Sequence, residues 1–158
     1  MKKIKVISII TTICIMALIF FFSSQSREES ASVSRGLLAK IVEVIIKISG
    51  DYEREKENLV YLLHDFIRTA AHFTIFSLLG ISSAVMFLTN LKIKGKKLLL
   101  TVFMFCLFYA CSDEIHQIFV PGRAFQFSDI IVDAIGSATG IIVIVFWRNI
   151  FKLKMERS

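Results

Sequence analysis

Four long apolar stretches, at residues 6–22, 70–91, 98–111 and 130–147, dominate this chain and leave it few ways to fold. Each is near the roughly 20 residues that a helix needs to cross a hydrocarbon core about 30 Å thick. Two are short by strict apolar count, but Ser23, Ser24 and Gln25 extend the first and residues 113–117 extend the third. The predicted spans are therefore about 6–25, 70–91, 97–118 and 129–147. With 55% hydrophobic residues, fifteen Phe and a single Pro in 158 residues, the composition is too apolar for an ordinary soluble domain of this size. The expected fold class is an all-α membrane protein, a single integral membrane domain over residues 1–158.

Lysine and arginine placement predicts the orientation, because loops near membrane ends retain positive charge on the cytoplasmic side. Lys2, Lys3 and Lys5 precede the first span, Lys92, Lys94, Lys96 and Lys97 join the second to the third, and Arg148, Lys152, Lys154 and Arg157 follow the fourth. These eleven basic residues face one acid, Glu156, whereas residues 25–68 and 113–133 carry eight basic residues against twelve acidic ones. Both termini are expected in the cytoplasm of a multi-pass plasma-membrane protein. The net charge of +6 then follows from topology and anionic inner-leaflet lipid, so no nucleic acid partner is expected. Ser24 and Ser26 offer a small-x-small pattern after the first span, but the run is longer than a signal-peptide core and is read as an uncleaved anchor. Cys14, Cys106 and Cys111 are odd in number and all lie in apolar spans, which suits small helix side chains rather than disulfides or zinc.

Between the first two spans, Val33, Leu37, Leu38, Ile41, Val44, Ile45 and Ile48 fall at helical spacing, with Arg35, Lys40, Glu43 and Lys47 on the other side. This predicts an external amphipathic helix, lying on the membrane surface or packed on the ends of the bundle. Ser49-Gly50-Asp51 ends it, residues 52–58 are almost wholly polar, and Leu59 starts an apolar period that runs into the second span. Pro121-Gly122 breaks the third helix and forms a short external turn.

Counting 1.5 Å per residue from the cytoplasmic boundary puts Asp113 at roughly 22 Å, His116 at roughly 27 Å, Asp133 at roughly 21 Å and Asp129 at roughly 27 Å. His72 falls at roughly 28 Å, and Ser23 to Gln25 at roughly 27 to 30 Å. The polar groups thus share one outer-leaflet layer. Helical faces agree: Cys106, Tyr109, Asp113, His116 and Gln117 share one, and Asp65, Arg68 and His72 another. Asp129 and Asp133 continue into Gly136 and Gly140, a Gly-x-x-x-Gly stripe expected to serve close helix packing. Ionisable groups at such depth are costly and are read as functional by default.

Asp113-x-x-His116 presents a carboxylate and an imidazole on one face, the spacing used by metal sites inside bundles. No second matching motif appears, so a hydrogen-bonded network is expected rather than a metal, with no cofactor. A competing role makes His116 a general base oriented by Asp113, with Glu114 beside it. No Ser or Cys sits in a nucleophile signature, and the reading leans against an enzyme. Arg68 and Arg123 are the basic residues nearest this layer, suited equally to neutralising its acids and to binding phosphate or carboxylate.

Phe22-Ser23-Ser24-Gln25, Arg68 with Ala71-His72-Phe73, Ser112-Asp113-Glu114-Ile115-His116-Gln117 leading to Pro121-Gly122-Arg123, and Ser128-Asp129 followed by Asp133, Gly136 and Gly140 together resemble the VanZ-like family. The resemblance touches all four spans. Asp133 stands where that family commonly has Asn, and Thr69 where a Lys is common. The family takes its name from a protein conferring low-level teicoplanin resistance, so the resemblance implies a role at a bacterial, Gram-positive-type cell envelope. Joined to the depth argument, it implies an outer-leaflet site of Arg68, His72, Asp113, Glu114, His116, Gln117, Arg123, Asp129 and Asp133 that binds a membrane lipid or lipid-linked cell-wall component. The alternative is a membrane-embedded enzyme modifying lipid head groups or lipid-linked sugars.

Overall fold

The computed structural model describes residues 2–26, 28 and 54–156, with side chains for residues 2–26, 28 and 66–148. Residues 33–48, read as an amphipathic helix, lie outside the described residues. The elements are α1 (Lys2–Ser23), α2 (Arg54–Met86) closed by a π-helical turn at Phe87–Leu91, α3 (Gly95–Gln117) and α4 (Phe127–Glu156). Among the described residues there is no strand. Four segments are long and apolar enough to cross a membrane: Lys2–Ser23, Phe66–Leu91, Gly95–Gln117 and Phe127–Arg148. The chain is a multi-pass membrane protein by that length and composition.

The periodicity of α3 explains how polar residues come to sit in an apolar helix. Leu98, Val102, Cys106 and Ala110 are buried at four-residue spacing, and Asp113 and Gln117 continue the same inward stripe. Leu100, Phe108 and Ile115 face outward, more than half exposed, where lipid tails take the place of water. The core stripe therefore becomes the polar site without leaving the helix face.

The packing of α2 on α4 is set by glycine. A Cβ built on Gly140 would collide with the Ser77 carbonyl, one on Gly80 with the Ser137 carbonyl, and one on Gly136 with the Phe73 carbonyl. The two backbones are thus in contact, and the Ser77 hydroxyl reaches both the Phe73 carbonyl (2.7 Å) and the Gly136 carbonyl (3.0 Å) across the interface. Gly136 and Gly140 act as the packing residues that their spacing suggests.

At the lysine-rich end, the π-turn swings Thr89 and Asn90 toward α1. Asn90 Nδ2 donates to Ser8 Oγ (3.1 Å), Ser8 Oγ lies 3.2 Å from Thr89 Oγ1, and buried Thr12 donates back to the Ser8 carbonyl (2.9 Å). At the opposite end, the Arg123 N–H donates to the Val120 carbonyl (3.1 Å) across Pro121 and Gly122, with Gly122 at φ 74°. Proline followed by a positive-φ glycine is the signature of a type II turn. It sends the chain back toward α4 and delivers Arg123 to the end of α1.

Candidate functional site

Arg123 is the hub. Its Nε donates to the Gln25 carbonyl (2.9 Å), Nη2 to the Phe22 carbonyl (3.1 Å) and Nη1 to Gln117 Oε1 (3.1 Å). The end of a helix leaves carbonyls without intrahelical partners, and a guanidinium fork is well shaped to satisfy several at once. Gln117, wholly buried, passes the connection on: its Nε2 donates to Asp113 Oδ2 (3.1 Å), which also accepts from Ser23 Oγ (2.7 Å). Asp113 is thus tied to α1 through a hydroxyl and to Arg123 through an amide.

Two further pairs connect α2 with α4. Arg68 Nη2 lies 2.5 Å from Asp129 Oδ2, and His72 Nδ1 lies 3.1 Å from Asp133 Oδ1. Arg68 and His72 are four residues apart, as are Asp129 and Asp133, so the pairs stack as two rungs along the glycine-fixed interface. With its oxygen turned toward the guanidinium, the Gln126 amide accepts from Arg68 Nη1 (2.7 Å) and Nη2 (3.2 Å). The Gln126 backbone N–H donates to Glu114 Oε2 (2.8 Å). Glu114 is 1% exposed, and its second oxygen meets no donor among the described residues.

A cavity of about 240 Å³ opens between α1 and α2. Its polar lining is Ser23, Gln25, Arg68, His72 and Arg123; Ile19, Phe22, Ile67, Ala71, Ile75 and Phe76 supply the rest. The carboxylates stand behind this wall, Asp129 holding Arg68, Asp133 holding His72, and Asp113 reaching Arg123 through Gln117. Of the nine residues grouped from sequence, three line the cavity, and Asp113, Gln117, Asp129 and Asp133 brace those three. Glu114 anchors the start of α4. His116 is set apart: its ring stacks on Phe20 (centroids 4.6 Å apart) and its Nε2 lies 3.0 Å from Ser24 Oγ. Because Ser24 Oγ donates to the Phe20 carbonyl (2.7 Å), the tautomer satisfying both groups carries the proton on His116 Nε2. His116 then donates to Ser24 and does not act as its base.

Sequence reasoning grouped the charged residues with Gln117 and left out the other neutral groups that complete the site. Ser23 and Gln25 had a signal, since they share the depth of the acids. The Phe22 and Gln25 carbonyls had none, because backbone acceptors are the same in every residue. Gln126 precedes Asp129 by one turn, but its part depends on how the Pro-Gly turn directs the chain.

The two arginines differ electrostatically. Arg68 is neutralised by Asp129, whereas Arg123 makes no ion pair among the described residues and its bonding partners are all neutral. Burial, then the Arg68 charge, push the Arg123 guanidinium below its ordinary range, and Asp113, Asp129 and Glu114 pull the other way. Guanidinium stays protonated at pH 7 regardless. Two guanidiniums therefore share one cavity, and the one without an ion pair among the described residues leaves positive charge there for an anion to meet. Among the described residues, no three His, Cys, Asp or Glu side chains converge as a metal site would need.

Four spanning helices, with a cavity lined by arginine and histidine and backed by carboxylates at one end of the bundle, define a polytopic membrane protein with a polar site at that end. A family profile described as VanZ/LLP1 matches residues 8–148, nearly the whole chain, and the chain belongs to that family. Searches of curated proteins and of solved structures found no match.

Proposed function

We propose that this VanZ-type membrane protein binds the phosphate-bearing head group of a lipid or lipid-linked wall component in the cavity between α1 and α2, and thereby contributes to glycopeptide (teicoplanin) resistance. The observation that carries this reading is the pair of guanidiniums at one cavity, of which Arg123 has no carboxylate partner among the described residues. Guanidinium suits bidentate phosphate contacts, and the apolar wall from Ile19 to Phe76 suits the first methylenes of a lipid tail. Lysine placement supports an outer-leaflet position for this end, where a lipid-linked wall component would meet an antibiotic.

Binding is tested by titrating purified protein in a non-ionic detergent with dodecyl phosphate. Arg68→Gln and Arg123→Gln should each weaken binding by about tenfold or more, the loss typical of truncating one partner of a buried charge contact. His116→Ala should bind as the unaltered chain does, because His116 does not line the cavity. Affinity in both arginine variants unchanged from that of the unaltered chain sinks the proposal.

The enzyme reading gains one observation, the His72–Asp133 pair at the cavity wall. A carboxylate on Nδ1 fixes the ring and leaves Nε2 as the nitrogen for proton transfer, so the acid or base would be His72 rather than His116. Expression in a teicoplanin-susceptible Gram-positive host separates the readings. Binding alone predicts reduced sensitivity that is lost in Arg123→Gln, with an unchanged lipid extract. Chemistry predicts a new or depleted lipid species that disappears in His72→Ala.

A further inference from the structure

At the opposite, lysine-rich end of the bundle, a second concavity of about 380 Å³ lies between α3 and α4, on the outside of the protein. Ile141, 2% exposed, forms its floor, and Leu100 and Ile142, both more than 60% exposed, form its rims. Ala138 leaves the gap, since a larger side chain there would fill the groove. Phe103 lines it further along α3 from Lys96, and seven residues of helix separate the two by roughly 10 Å. The lining is apolar except for Lys96, which opens α3 beside Lys92, Lys94 and Lys97, with Arg148 at the same end of α4.

We propose that this groove is a binding site for one anionic glycerophospholipid, with an acyl chain along Ile141 and Ala138 and the phosphate on Lys96. Charge selects the occupant. The lysine cluster attracts an anionic head group, and each basic residue near such a surface adds to the attraction. A second copy of this chain would bring a second lysine cluster against the first, and like charges oppose that contact. The site is independent of the arginine-lined cavity, since it shares no residue with it.

The test uses the full chain in lipid nanodiscs containing phosphatidylglycerol or phosphatidylcholine that carries a diazirine on one acyl chain, with labelled residues mapped by mass spectrometry. Phosphatidylglycerol should label residues 99–103 and 138–142 in preference to phosphatidylcholine. Lys96→Gln, at an exposed position, should lower that preference by about fivefold. Ala138→Leu should remove groove labelling while Lys96 remains. Equal labelling by the two lipids, an unchanged preference in Lys96→Gln, or labelling of these residues that is lost when a nanodisc holds two copies of the chain instead of one overturns the proposal.

Discussion

Arg123→Ala is expected to release the end of α1 from the bundle and to cost about 3 kcal/mol of stability in detergent, the range for losing hydrogen bonds to a charged group. Three acceptors lose their donor at once: the Gln25 and Phe22 carbonyls and Gln117 Oε1. Gln117 is wholly buried, so its oxygen has no water to turn to, and the chain of contacts to Asp113 and Ser23 loosens with it. Arg123→Lys separates geometry from charge. An ammonium restores the positive charge but cannot span three acceptors in the fork that guanidinium supplies, so it should recover only part of the loss. Chemical denaturation of the three proteins in one detergent measures the order, and a Lys variant as stable as the unaltered chain would contradict the hub role.

Gly140→Val should be more damaging, because no side chain can move out of the way. The atom that a Cβ on Gly140 meets is the Ser77 backbone carbonyl, so α2 and α4 must separate along their length. Overpacking of this kind costs about 1 to 3 kcal/mol at an ordinary core site, and a backbone obstacle places this one at or above about 3 kcal/mol. The damage should reach the cavity, since Arg68–Asp129 and His72–Asp133 span the same interface. Loss of monodisperse protein by size exclusion, with dodecyl phosphate binding lost in the fraction that remains folded, is the expected result. Gly95→Ala is the contrasting case: Gly95 has nothing within 4 Å of a built Cβ and needs only its positive φ of 63°, which costs an alanine about 1 to 2 kcal/mol. A Gly140→Val protein no less stable than Gly95→Ala would refute the backbone contact.

The spans were legible because lipid demands length and apolarity, and both are properties of consecutive residues. That Ser23, Asp113, Arg68, His72, Asp129 and Asp133 come together at one end of the bundle was legible for the same reason, since helical rise is uniform. Pairing was not. Asp113 and His116 share a helical face, yet Asp113 turns to Ser23 and His116 to Ser24, because adjacent residues at the end of α1 project in different directions. Arg68 had several acidic neighbours by depth, and the Gly136 and Gly140 contacts, which fix the register of α2 on α4, select Asp129. The π-turn after Met86 left no signature of composition, as it depends on how Asn90 and Thr89 meet α1.

The attachment of α1 has a consequence for how the cavity is built. Much of what holds this helix is addressed to its main chain: Tyr109 donates to the Met16 carbonyl, Arg123 to the Phe22 and Gln25 carbonyls, and Asn90 reaches the Lys5 carbonyl at 3.4 Å. Grips at the start, middle and end fix how far α1 is pushed in and at what height, while leaving most of its apolar side chains unread. One wall of the cavity is therefore positioned like a rod in three brackets. The residues along its lipid-facing side are free to be any that dissolve in the bilayer, and the site keeps its shape.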